Sequence, residues 1–363
     1  MPTVLDWAPA VDPSPFARQA ADALAAGTVA VFPGDAGYVA LVNPAAAAAH
    51  LGALAERTGE PPAVLAAGPD DAVRFGLEVP VAARRLMFRA WPAALTVALR
   101  ADGASFPADW PEAVRDRLTA GGRVRFRCPD HPLFDAVLPA LTTPALVVET
   151  GLGTAGAVLD RLGGAVGFAA AAGDRPADPR PTEVLATPAG WEVTREGAFG
   201  RDEVEKLAAR LILFVCTGNT CRSPLAEGLG KALLAERLGC RVDDLPARGF
   251  WLLSAGVATY GGSPATPESV EAGAELGADL RNHRSRPVNP QLLAAADDVI
   301  AMTRGHADAL AHRFPGVGPR PRLLCPEGGD VDDPIGAGPD VYRACGRAIR
   351  DHLGRLIAEW TGS

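Results

Sequence analysis

Residues 211–227 read LILFVCTGNTCRSPLAE: five consecutive apolar residues, a short loop of Gly, Asn and Thr, then a pattern that continues as a helix. So short and so apolar a run fits a strand buried on both faces, which a parallel sheet covered by helices provides. The rest of the chain follows the same rule. Strand-like segments Trp251–Ser254, Asp298–Met302 and Arg322–Leu324 alternate with helix-like segments Pro224–Leu238, Pro267–Leu276, Arg304–Arg313 and Asp340–Trp360. The expectation is an α/β fold whose parallel sheet is flanked by helices. A charged amphipathic stretch, Arg201–Arg210, reads as a linker helix feeding the first strand, so the boundary falls near residue 205.

With 363 residues the chain exceeds one ordinary core, and two domains, 1–204 and 205–363, are expected. The first is mixed rather than alternating: helix Pro15–Ala26, strand Val29–Phe32, an Ala-rich helix Ala45–Glu56, strands Leu95–Leu99 and Val124–Cys128. That order predicts an α+β domain. Six scattered cysteines without a CxxC pair argue against a disulfide scaffold or a zinc site. His306 and His312 do not share a helical face, so neither a metal nor another cofactor is expected. A net charge of -8 disfavours indiscriminate polyanion binding. Without an apolar span or a leader-like start, a soluble cytoplasmic chain with no membrane partner is expected.

The loop after the apolar run carries the chemistry. It sits where open α/β sheets bind ligands, at the carboxyl end of a parallel strand and facing a helix N-terminus. Gly218 is free to take positive φ and Asn219 tolerates it, so backbone N–H groups from Thr217 through Cys221 are able to turn inward as an anion nest. The helix dipole adds positive potential at the same point. The same donors favour a thiolate, which makes Cys216 a candidate nucleophile. Arg222 offers a planar bidentate partner for two phosphoryl oxygens, and Ser223 a hydroxyl for the sulfur. The missing acid is found in GDVDDPIGAG, residues 329–338, where Asp333 stands directly before a proline. Asp332 is its competitor, and an Asp-Pro turn without catalytic meaning is the plain alternative.

Residues from about 210 to 363 resemble the low-molecular-weight protein-tyrosine-phosphatase family through CTGNTCRSPLAE, SAGVATYGGSPAT, NHRSRPV, DDVIAMTRGHADAL and the DDP loop, in that order. The resemblance implies that Cys216 is the nucleophile, Arg222 binds phosphate, Asn219 holds the loop, Ser223 and Ser254 support it through hydroxyls, and Asp333 is the general acid. It also implies that Cys221 is either simply packed or able to trap an oxidised Cys216 as a disulfide. Thr220 stands where tyrosine-directed members tend to carry a larger aliphatic residue, and CTGNTCRSP resembles the bacterial protein-arginine phosphatases. The resemblance thus implies phosphoarginine or phosphotyrosine on a protein as substrate. Arsenate reductases share the fold but need further cysteines, and Cys325 has no second cysteine near it in sequence.

Residues from about 14 to 200 resemble the YrdC-like family, whose active members make threonylcarbamoyl-adenylate from threonine, bicarbonate and ATP. The landmarks are ALAAGTVAVFPGDAGYVAL, WPAALTVAL, VRFRCPDHPLF and RPTEVLATPAGWEVTREGAFG. The family's Lys-x-Arg becomes Ala55, Glu56, Arg57, no lysine precedes Lys206, and the Ser-x-Asn element becomes Thr150, Gly151, Leu152. Lost or much reduced synthase activity is expected, because alanine cannot supply the cation. Nucleotide or double-stranded RNA binding stays open as an alternative role, with the phosphatase as a regulator. Arg123, Arg125 and Arg127 alternate along one strand face, and with Arg57 and Arg195 they are the candidate ligand residues; a solvated face is the bland reading.

Overall fold

The structure, a computed structural model, describes every residue except Ala47, Pro326, Gly328 and Ser363. Residue 47 of the expected Ala45–Glu56 helix therefore lies outside the described residues; the helix itself runs Ala48–Thr58. The chain forms two compact units, Met1–Leu207 and Ala208–Ser363. Among the described residues no helix is long and apolar enough to cross a membrane.

In the first unit the described strands make one ten-stranded mixed sheet. Its middle runs Val29–Pro33, Tyr38–Val42, Leu146–Glu149, Ala63–Leu65, Arg123–Arg127, Leu95–Arg100 and Thr182–Thr187 in spatial order. The hairpin Val29–Pro33/Tyr38–Val42 is buried along its whole length. Helix Ser14–Ala25 covers one face with Phe16, Ala17, Ala20 and Leu24, at the spacing of one helical stripe. Strand Arg123–Arg127 alternates as expected, with Val124 and Phe126 in the core. Its arginine face is only partly solvated: Arg127 is 0% exposed, Arg123 and Arg125 are half-buried, and carboxylates meet all three guanidinium groups.

In the second unit the described strands make a sheet of four parallel strands in the order Phe250–Gly256, Arg210–Cys216, Asp298–Ala301, Arg322–Leu323. The apolar run is thus interior, paired on both edges, with Val215 in register with Ala255 and Ala301. Its two faces serve two cores. Ile212, Phe214 and Cys216 pack with Leu225 and Leu229 of helix Arg222–Leu238 and Ile349, Leu353 and Trp360 of helix Pro339–Thr361. Leu211, Leu213 and Val215 pack with Leu293 and Leu310 on the other side. Each such side chain contributes about 1.5–3 kcal/mol by leaving water, which is why the run needs apolar residues at every position. Helix Arg222–Leu238 stops at Gly239, whose φ of 59° few residues with a side chain adopt. A short helix, Pro290–Ala295, was not anticipated; Asn289 caps it by accepting the Leu292 N–H.

Candidate active site

Because the strand Arg210–Cys216 is interior, the loop after it opens between the carboxyl ends of its neighbours, where ligands meet open α/β sheets. The strand delivers Cys216 and the following helix begins at Arg222, with no side chain capping its N-terminus. The loop's turn is made by Asn219, not by Gly218. Asn219 has φ 56°, whereas Gly218 does not enter the left-handed region. The reason is side-chain anchoring. The buried Asn219 amide donates to Ser223 Oγ and Ser254 Oγ, both at 2.9 Å, and its Oδ1 accepts the Arg286 N–H at 2.8 Å. Its carbonyl lies 2.8 Å from His283 Nε2. Ser254 Oγ in turn donates to Glu227 Oε2 at 2.6 Å.

Cys216 Sγ lies 3.0 Å from Ser223 Oγ and accepts the Asn219 N–H at 3.3 Å. Gly256 lets the neighbouring strand press against this loop: a Cβ there would stand 2.6 Å from the Thr217 carbonyl oxygen. Arg222 is 5% exposed and donates to the Val331 carbonyl at 3.1 Å. It also forms an ion pair with Asp333, while its Nε is buried with no partner among the described residues. Asp333 is held at the other side by the Ile335 N–H, 3.2 Å from Oδ1. Asp332 is exposed, and its carbonyl accepts from Cys345 Sγ at 3.8 Å. Arg222, the first residue of the helix after the Cys216 loop, therefore pairs with Asp333 and, among the described residues, not with Asp332.

Thr217 and Thr220 give the loop two hydroxyls. Thr217 Oγ1 lies 2.9 Å from His306 Nε2. His306 is buried; that burial first, and the Arg222 charge second, hold its pKa below the usual histidine value. Thr220 Oγ1 lies 3.7 Å from Cys221 Sγ, and its carbonyl accepts the Thr266 N–H. Cys221 packs at 3.6 Å from both Thr266 Oγ1 and Tyr342 Oη, and burial pushes the Tyr342 hydroxyl up to about 12. Cys216 and Cys221 are both free thiols. Two neighbours of the loop lie outside the expected site residues, Glu227 through Ser254 and His306 through Thr217. Glu227 stands one helical turn after Ser223 in RSPLAE, a usable signal; His306 is 89 residues from its partner.

The arginines of the first unit divide. Arg125, Arg127 and Arg195 line one cavity of about 10 Å³, together with Glu60, Glu149 and Glu183. Arg125 bonds Glu183 at 2.9 Å, Arg127 bonds Glu149 at 3.0 Å and pairs with Asp35, and Arg195 bonds Glu60 at 2.7 Å. Arg123 also reaches Glu183, at 3.3 Å. Arg57 lies elsewhere, exposed, donating to the carbonyls of Arg161 and Leu162. Among the described residues no group of three His, Cys, Asp or Glu is placed to hold a metal ion.

A thiol, a buried guanidinium and an uncapped helix N-terminus at the end of an interior parallel strand define a class of phosphate-handling enzyme. Residues 211–361 match the family model described as low molecular weight phosphotyrosine protein phosphatase, and the chain belongs to that family. Residues 22–197 match the Sua5/YciO/YrdC model, described as telomere recombination. The protein-arginine-phosphatase of Bacillus subtilis (strain 168) is 40% identical over 152 residues, which are 41% of this chain and 92% of that one. A probable low molecular weight protein-tyrosine-phosphatase EpsP of Ralstonia solanacearum is 35% identical over 148 residues, 40% of this chain and 88% of the relative. Arsenate reductase 1 of Staphylococcus epidermidis is 32% identical over 127 residues, 35% and 80% respectively. The second unit is accordingly an enzyme of the low-molecular-weight protein-tyrosine/arginine phosphatase type.

Proposed function

We propose that the chain removes phosphate from phosphoarginine in proteins, with phosphotyrosine as the competing substrate, through a phosphocysteine intermediate. The observation that carries this reading is the placement of Cys216 and Arg222 at the two ends of one loop, with Asp333 of a second loop ion-paired to Arg222. The Cys216 thiolate attacks phosphorus; an S–P bond forms as the P–N or P–O bond breaks, and Asp333 gives its proton to the departing atom. Water then attacks the phosphocysteine, Asp333 takes a proton from it, and the S–P bond breaks to return the thiolate. Arg222 and the loop N–H groups hold the three outer oxygens, and Ser223 stabilises the leaving sulfur. Thr220 sets a polar group at the loop where a larger aliphatic side chain would favour a phenyl ring, which supports the preference for a guanidinium. In the first unit, alanine at position 55 supports a domain with lost or much reduced synthase activity.

The test is phosphate release by the full-length protein, without added metal, from matched phosphoarginine and phosphotyrosine peptides. Phosphoarginine preference that disappears in Cys216→Ser is the expected result. Phosphotyrosine preference would overturn the substrate assignment, and a ratio that Thr220→Ile leaves unchanged would overturn the role given to Thr220; release that survives Cys216→Ser would overturn the mechanism.

A further inference from the structure

His306 belongs to neither the nucleophile loop nor the acid loop, yet it is buried against the first of them and its short helix anchors the second. Its Nε2 lies 2.9 Å from Thr217 Oγ1, on the residue after Cys216, and its Nδ1 lies 2.9 Å from Thr303 Oγ1. Thr303 caps helix Arg304–Arg313 by accepting the His306 N–H at 3.2 Å. The same strand-to-helix junction holds the acid loop. The Arg304 N–H donates to Asp330 Oδ1 at 2.8 Å, and the Val331 N–H donates to the Met302 carbonyl at 2.8 Å. Asp333 follows two residues later. Residues 302–306 thus grip the chain beside the nucleophile through His306 and the chain beside the acid through Met302 and Arg304.

We propose that His306 is a positioning residue for phosphoryl transfer: by binding the Thr217 hydroxyl it fixes the loop that carries Cys216 relative to the junction that carries Asp333. This rests on the phosphocysteine mechanism proposed above. Acid catalysis requires the donor within hydrogen-bond reach of the departing atom, and small displacements of such groups are costly in rate. A ring whose two nitrogens each meet one hydroxyl is a two-point strut, and only the Nε2 end reaches the nucleophile loop.

The geometry separates this role from simple helix capping. His306→Gln keeps a polar atom near the Nε2 position, within reach of Thr217; His306→Asn keeps one near Nδ1, within reach of Thr303 alone. Full-length protein is assayed with phenyl phosphate, a poor leaving group that needs the acid, and 4-nitrophenyl phosphate, which needs it less. His306→Asn is expected to lower kcat/KM for phenyl phosphate roughly tenfold, with a smaller loss for 4-nitrophenyl phosphate. His306→Gln is expected to restore most of it, Thr217→Val alone to reproduce the loss, and Thr217→Val to add nothing in the His306→Asn background. Equal behaviour of the Asn and Gln variants, equal losses on both substrates, or multiplying effects of the two sites would each overturn the proposal. Thr217 lies on an exposed loop position, so its variant decides the matter even if a His306 variant fails to fold. Cys216→Ser and Asp333→Asn run alongside: activity surviving the first, or no leaving-group dependence in the second, refutes the mechanism rather than the strut.

Discussion

Asn219 combines a strained backbone with three side-chain bonds, and its variants separate the two contributions. Truncation removes donors to Ser223 and Ser254 and the acceptor for the Arg286 N–H. At about 1 kcal/mol per buried bond, Asn219→Ala should lose roughly 3 kcal/mol of loop organisation while keeping a Cβ at φ 56°, as the parent does. Asn219→Gly loses the same bonds but is relieved of the Cβ in the left-handed region, which offsets about 1–2 kcal/mol of the loss. If this organisation is needed in the transition state, kcat/KM should fall about a hundredfold for Ala and about five- to thirtyfold less than that for Gly. Steady-state kinetics on 4-nitrophenyl phosphate, with thermal unfolding measured alongside, provide the check. Activity within threefold of the parent in Asn219→Ala, or Ala equal to Gly, would refute the view that this residue sets the loop.

Two further predictions concern the first unit. Arg127→Met leaves Asp35 and Glu149 facing each other without their cation and should destabilise that unit by about 3–5 kcal/mol in thermal unfolding; a loss below 1 kcal/mol would mean the pairs are dispensable. His131 is buried, and burial depresses its pKa from 6.5 to about 4, so the folded form binds fewer protons than the unfolded form between those values. Stability from this group is complete above pH 6.5 and drains as pH falls toward 4, by up to about 3 kcal/mol. His131→Asn keeps an acceptor for the Leu133 N–H, so the stability difference between parent and variant in urea should shrink as pH drops; a pH-independent difference would exclude the effect.

The periodic parts of the chain were legible because they are local. Leu211–Val215 needed no partner to announce a doubly buried strand, and helix Arg304–Arg313 falls where its pattern placed it. The loop's composition offered two residues for a left-handed turn, Gly218 and Asn219, and could not choose between them: glycine advertises freedom, while Asn219, which takes the turn, is fixed by partners 35 and 67 residues away. Helix Pro290–Ala295 carried a capping asparagine and a proline at its start, but six residues are too few for periodicity to register. The arginine stripe was read correctly as one face of one strand, and its environment was missed. Glu183 comes from 58 residues away and Asp35 from 92, and no spacing rule pairs such positions.

That stripe has a consequence for polyanions. Binding to RNA or a triphosphate gains much of its free energy by setting loose the small ions that surround each phosphate, one for each uncommitted positive charge that replaces them. Arg123, Arg125, Arg127 and Arg195 each have a carboxylate of the chain itself within hydrogen-bond reach, so an incoming phosphate would displace a covalently tethered anion instead of a free one. The entropy of release is then largely forfeited. Written in its primary structure as a row of cations, this surface behaves electrically as a nearly neutral zwitterion.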